Sequence, residues 1–168
     1  MGVKDHKKHA PKSINVGVIS VSSTRTEKTD ESGSWIKKLA IKEGHNITFY
    51  QVIPDDIYKI AETTREAVFE QKVQALLLTG GTGISSKDVT IEAVRPLFEK
   101  ELTAFGPVFS QLSFEEIDSA ALLSRATAGI IGNAIVFCMP GSLKACKLAC
   151  KALIFPELGH LVKHIMEG

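Results

Sequence analysis

The sequence predicts an α/β protein: a three-layer α/β/α sandwich with a mostly parallel central sheet and one antiparallel hairpin. Three observations carry this. Short β-branched runs alternate with segments of helical apolar spacing, and Gln74 to Leu78 is nearly all apolar, as a strand covered on both faces must be. Two further strand-like runs are joined by the two-residue connector Gly132-Asn133, a tight-hairpin signal.

Taken in order, Ile14 to Ser22 reads as the first strand. Ser34 to Glu43 reads as a helix with Trp35, Ile36, Leu39 and Ala40 on one face and Gly44 as its stop. Asn46 to Ile53 is β-branched and aromatic. Pro54-Asp55-Asp56 closes that strand and opens a helix bearing Ile57, Ile60, Ala61, Thr64, Ala67 and Val68 at helical spacing. Gln74 to Leu78 is the third strand. Asp88 to about Leu102 reads as helical with a break at Pro96, and Phe105 to Arg125 as short helices. Thr127 to Ile131 and Ala134 to Met139 form the hairpin. A helix then starts at Pro140-Gly141-Ser142, with Ala145, Leu148, Ala149 and Ala152 as its apolar seam and Lys144, Lys147 and Lys151 opposite. Pro156 to Met166 adds a terminal helix.

At 168 residues the chain has the length of one domain, enough to bury about 70% of its unfolded surface. Residues 1–13, with Lys4, Lys7, Lys8, Lys12, His6 and His9, read as a disordered basic tail, and residues 14–168 as a single domain. A formal net charge of +1 gives no global pull toward nucleic acid or an acidic membrane. No run approaches the roughly 18 apolar residues of a membrane helix, and the basic tail lacks a secretory apolar segment. A soluble cytoplasmic protein binding neither nucleic acid nor membrane is expected. Cys138, Cys146 and Cys150 are an odd number without zinc-finger partners, so they read as reduced packing residues.

The chemistry concentrates at Leu76-Leu77-Leu78-Thr79-Gly80-Gly81-Thr82-Gly83, followed by Ile84-Ser85-Ser86-Lys87-Asp88-Val89-Thr90. A buried strand ending in glycines presents backbone N–H groups to a phosphate. Two better-known phosphate motifs fail. From Gly81 the chain offers Ser86-Lys87-Asp88 where a P-loop needs Gly-Lys-Ser/Thr, and the third glycine of a dinucleotide fingerprint is missing. His160-Leu161-Val162-Lys163-His164 has the histidines of a zinc-peptidase helix but a leucine where the general base belongs, so it reads as a solvated helix face.

Asp88 reads either as a helix N-cap or as a ligand, and so does Asp55 or Asp56 after Pro54. In an open sheet, ligands sit at strand carboxyl ends, where the turns at Asp55, at Gly80 to Asp88 and at Gly141-Ser142 all lie. Two carboxylates there beside a phosphate cradle make a ready Mg²⁺ site. Lys87 adds positive charge; Thr82, Ser85, Ser86 and Ser142 add hydroxyls.

These residues resemble the MoaB/Mog family of molybdenum-cofactor biosynthesis. The resemblance runs from about Ile14 to Ile165. Its most specific pieces are Thr79-Gly80-Gly81-Thr82-Gly83 with Asp88-Val89-Thr90 and Glu92, Ile53-Pro54-Asp55, Leu112 to Glu116, Leu123-Ser124-Arg125 and Met139-Pro140-Gly141-Ser142. Phe105 to Ser124 is closer to the MoaB branch. The resemblance implies an adenylyltransferase: the terminal phosphate of molybdopterin attacks the α-phosphorus of ATP and pyrophosphate leaves. It places the family's two important acids on Asp55 and Asp88, as catalytic residues and Mg²⁺ ligands. Thr79 to Gly83, and with them Pro140-Gly141-Ser142, would hold substrate. Some MoaB-branch members lack the Asp-Val-Thr sequence, which this chain keeps. The resemblance further implies a homo-oligomer, trimer or hexamer, and a downstream metal-insertion protein as partner. Its other reading is a non-catalytic molybdopterin-binding oligomeric carrier.

Overall fold

The computed structural model describes residues 10–168. Most of the stretch read as a basic tail, residues 1–9, lies outside the described residues. Ala10 and Pro11 lie against Gly159, and the Asn46 side chain donates to Ser13 Oγ.

Among the described residues six strands form one sheet: β1 (Asn15–Val21), β2 (Asn46–Ile53), β3 (Ala75–Thr79), β4 (Lys100–Glu101), β5 (Thr127–Ile131) and β6 (Ala134–Met139). Their spatial order is β2-β1-β3-β6-β5-β4. The first four in that order are parallel, while β5 runs antiparallel to β6 and β4 antiparallel to β5. Among the described residues six α-helices cover it: α1 (Glu31–Lys42), α2 (Ile57–Arg65), α3 (Thr90–Val94), α4 (Phe105–Ile117), α5 (Leu143–Ala149) and α6 (Phe155–Glu167).

Alternation along the central strands explains the three layers. Val16, Val18, Leu77, Ile135, Phe137 and Met139 face one way, into a core shared with Ile36, Cys146, Ile154 and Leu158. Ile19, Leu76, Leu78, Val136 and Cys138 face the other, against Ile60, Val68, Ile91 and Val94. Leu76, Leu77 and Leu78 are all fully buried, each worth about 1.5–3 kcal/mol. The near-continuous apolar run is thus a strand covered on both sides. All three cysteines are free and buried within these cores.

Several boundaries move. The first helix begins at Glu31 because buried Asp30 caps it, accepting from Gly33 N at 3.0 Å. Its other oxygen accepts from Ser20 Oγ at 2.5 Å and Tyr50 Oη at 2.7 Å. A Cβ at Gly33 would strike both Asp30 and Ser20, so glycine here marks close approach inside a helix rather than its end. The expected helix over Asp88 to Leu102 is corrected: α3 stops at Val94, one tight turn spans 95–97, and the chain then straightens into β4. Pro96 removes an N–H donor, while Glu99 N and Leu102 N bond Ile130 O and Ala128 O, both at 2.8 Å.

Phe105 to Arg125 holds one helix of 13 residues, α4, followed by a 3₁₀ segment over 118–123 in which only Ala121 is buried. Ile57, expected on the buried face of its helix, is 38% exposed. Ala152 is exposed because a π-helical turn over 150–154 shifts the seam onto Cys146, Ala149, Cys150 and Ile154. That turn joins α5 to α6, and the expected boundary at Pro156 falls in the first turn of α6, where proline is tolerated.

Candidate active site

The carboxyl ends of the four parallel strands open onto one cavity of about 380 Å³. β1 delivers Ser22, Ser23, Thr24 and Arg25; β2 delivers Asp55; β3 delivers Gly80 to Gly83 with Lys87 and Asp88; β6 delivers Pro140 and Gly141. Because β1 lies between β2 and β3, strand order reverses there and the loops part, which opens the crevice.

The two acids are held alike. Asp55 Oδ2 accepts from Ser23 N at 3.0 Å and Ser23 Oγ at 2.7 Å. Asp88 Oδ2 accepts from Ser85 N at 2.9 Å and Ser85 Oγ at 2.7 Å. Among the described residues neither Oδ1 takes a hydrogen bond, and Asp55 Oδ1 is turned toward Gly81. Neither acid caps a helix: Asp56 caps α2, accepting from Lys59 N at 2.7 Å, and Val89 occupies the cap position of α3 with no side-chain bond.

The glycine loop is built by exclusion and by ties. Gly80 has φ +99° and a Cβ there would run into the Val21 carbonyl oxygen. Thr90 Oγ1 donates to Gly80 O at 2.8 Å and Thr90 N to Gly81 O at 2.9 Å. Arg125 Nε donates to Thr82 O and Gly83 O, each at 3.0 Å. Its Nη1 and Nη2 grip Glu92 at 2.6 and 3.3 Å. These ties occupy the loop carbonyls and so favour N–H groups as the loop's offering to a ligand. The Arg125 hydrogen bond holds the Glu92 carboxyl below the ordinary glutamate range, partial burial opposing it. Gly141 O accepts from Ser32 Oγ at 2.8 Å and Arg25 Nη1 at 3.2 Å.

Of the sequence candidates, Asp55, Gly80, Gly81, Thr82, Gly83, Lys87, Asp88 and Gly141 line the cavity together; Thr79, Ser85, Ser86 and Ser142 are not in its lining. Thr79 is buried, its hydroxyl on Pro140 O and Cys146 Sγ. Ser85 is committed to Asp88, Ser86 is exposed, and Ser142 caps α5 through Ala145 N at 3.2 Å. Sequence reasoning missed Ser22 to Arg25 and Ser124. The signal was available for the first four, which follow the carboxyl end of the first strand just as Asp55 follows the second.

The polar part of the lining is chemically hard: two carboxylates, the cationic Arg25 and Lys87, hydroxyls and backbone groups. The Thr82 hydroxyl is buried without a partner, so a ligand oxygen would complete it. Among the described residues no three His, Cys, Asp or Glu side chains could hold a metal by themselves. A pair of acids with room for phosphate and water nevertheless fits Mg²⁺, which keeps several non-protein ligands.

Among the described residues no helix is long and apolar enough to cross a membrane. Residues 17–160 match the family described as "Probable molybdopterin binding domain". The chain is 46% identical over 166 residues to "Molybdenum cofactor biosynthesis protein B" of Bacillus subtilis, covering 98% of each. It is 42% identical over 173 residues to "Molybdopterin adenylyltransferase" of Pyrococcus furiosus, covering 99% of this chain and 100% of the other. A crystal structure of a molybdenum cofactor biosynthesis protein B superimposes with TM-score 0.92 at 42% identity, covering 95% of this chain and all of that one. By sequence and by fold, the chain belongs to the molybdopterin-binding domain family of molybdenum-cofactor biosynthesis.

Proposed function

We propose that the chain is a Mg²⁺-dependent molybdopterin adenylyltransferase. The molybdopterin phosphate attacks the α-phosphorus of ATP, the bond from that phosphorus to the bridging oxygen breaks, and pyrophosphate departs with the electron pair. The observation that carries this reading is the matched pair Asp55 and Asp88, each with one oxygen clamped by a serine and the other unbonded, on the walls of one cavity. Clamping fixes the direction of each free oxygen before substrate arrives, which avoids reorganisation during reaction.

The chain's remaining residues supply positioning. Gly80 N donates to Met139 O at 3.0 Å, so the N–H groups of Gly81 to Gly83 are the ones that suit phosphate oxygens, and the Thr82 hydroxyl has a hydrogen to donate. Arg25 and Lys87 bring positive charge to the same hollow, offsetting negative charge on the phosphates. Bound at Asp55 and Asp88, Mg²⁺ would neutralise phosphate oxygens and the leaving pyrophosphate.

The test is pyrophosphate release from purified protein with ATP, Mg²⁺ and molybdopterin. Product that depends on all three is expected; a folded sample that binds molybdopterin but yields none would leave the carrier reading. A cytoplasmic homo-oligomer, trimer or hexamer, passing its product to a metal-insertion protein accompanies this proposal. Light scattering at the mass of a single chain would remove the oligomer from it.

A further inference from the structure

At the opposite end of the sheet, α6 carries His160-Leu161-Val162-Lys163-His164, the motif set aside for want of a general base. A four-residue spacing puts both rings on one helix face. Their Nε2 atoms lie 2.9 Å apart. Glu157, one turn earlier, has Oε2 3.3 Å from His160 Nδ1. An ionised carboxylate only accepts, so Nδ1 carries the hydrogen and the His160 Nε2 lone pair faces His164. A carboxylate behind a histidine in this way fixes the tautomer and the ring's orientation as a ligand.

We propose that His160 and His164 bind a divalent transition ion of tetragonal preference, Cu²⁺ or Ni²⁺, through the two Nε2 atoms. The separation fits the class. With metal–nitrogen bonds of about 2.0–2.1 Å, nitrogens 2.9 Å apart subtend close to a right angle, whereas tetrahedral ligation needs about 3.3 Å. Right-angled imidazoles belong to square-planar or octahedral ions rather than to zinc. Imidazole nitrogen is equally wrong for Mg²⁺, so this site is chemically separate from the carboxylate pair. On binding, the hydrogen of His164 moves from Nε2 to Nδ1, and no net proton is lost. His164 also lines a cavity of about 430 Å³ with Glu99, Lys100 and Gly132, which gives the ion access and room for water ligands.

Untagged full-length protein is titrated calorimetrically with NiCl₂ and CuCl₂ in a non-chelating buffer. One ion per chain is expected, with a dissociation constant in the micromolar range. Binding should weaken at least tenfold in His164→Ala and in His160→Ala, and Zn²⁺ should bind less tightly than Ni²⁺. Copper electron paramagnetic resonance should show equatorial nitrogen lost in the same variants. His164 is exposed, so its replacement leaves packing intact, which circular dichroism checks. Absence of binding would overturn the proposal. So would binding that survives the double variant His160→Ala/His164→Ala but disappears in His6→Ala/His9→Ala.

Discussion

Asp55 and Asp56 are adjacent and chemically identical, yet the fold gives them different work. Asp56 spends its carboxylate on the first turn of α2, and that frees Asp55 to face the cavity. Sequence alone left this choice open, because either residue after Pro54 can cap a helix; only the backbone direction at the turn separates them. The same ambiguity at Asp88 is resolved by Ser85, whose two donors draw the side chain back from α3. Asp88→Asn keeps an oxygen for those donors and loses only charge. The fold should stay within about 0.5 kcal/mol of the parent in urea melts, while pyrophosphate release falls about 10²–10³-fold. Unchanged release would reduce Asp88 to a loop staple. Gly80→Ala tests the cradle instead: a positive φ and a blocked Cβ position predict a loss of at least about 2 kcal/mol in the same melts.

Arg125 and Glu92 act between elements, joining the chain just before β5 to α3 and, through two carbonyls, to the loop after β3. Both side chains are more than a third exposed, so their direct contribution to stability is small, and the effect belongs to the loop. Arg125→Gln should raise the KM for ATP several-fold with little change in melting temperature, and speed hydrogen exchange at residues 80–83. Because Glu92 titrates below the ordinary range when folded, its contribution is complete above the unfolded glutamate value and is lost as pH falls through the lower folded value. Faster loop exchange should therefore set in only at acid pH, and should be absent in Glu92→Gln, which is loose at every pH. The two residues stood out in the sequence only through family resemblance, since a pair 33 positions apart has no local signature. β4 was unreadable for a related reason: its two residues are extended because β5 offers carbonyls, not because of their own propensity.

For the molecule as a whole, alternating strands and helices were legible because each element must bury its own apolar face. The layered fold and its mostly parallel sheet follow from that requirement, and the hairpin from its two-residue connector. Less legible were features set by contact between distant segments, such as Asp30, buried under Ser20 and Tyr50. Burial first, and the Asp30 carboxylate second, hold the Tyr50 phenol protonated well above its usual range. The three thiols report on the intact fold in a similar way. Burial raises all three above the usual cysteine range and disfavours the reactive thiolate. A disulfide reagent at pH 8 should label none of them in native protein and all of them in denaturant; prompt native labelling would mean that the layers open locally.

The sheet also acts as a ruler. Strands stand about 4.8 Å apart, so the exits of β2 and β6, three spacings from each other, mark off about 14 Å. A molecule touching both banks must be elongated, on the scale of a stretched triphosphate chain with its sugar, whereas a lone phosphate would reach one bank and leave the other dry.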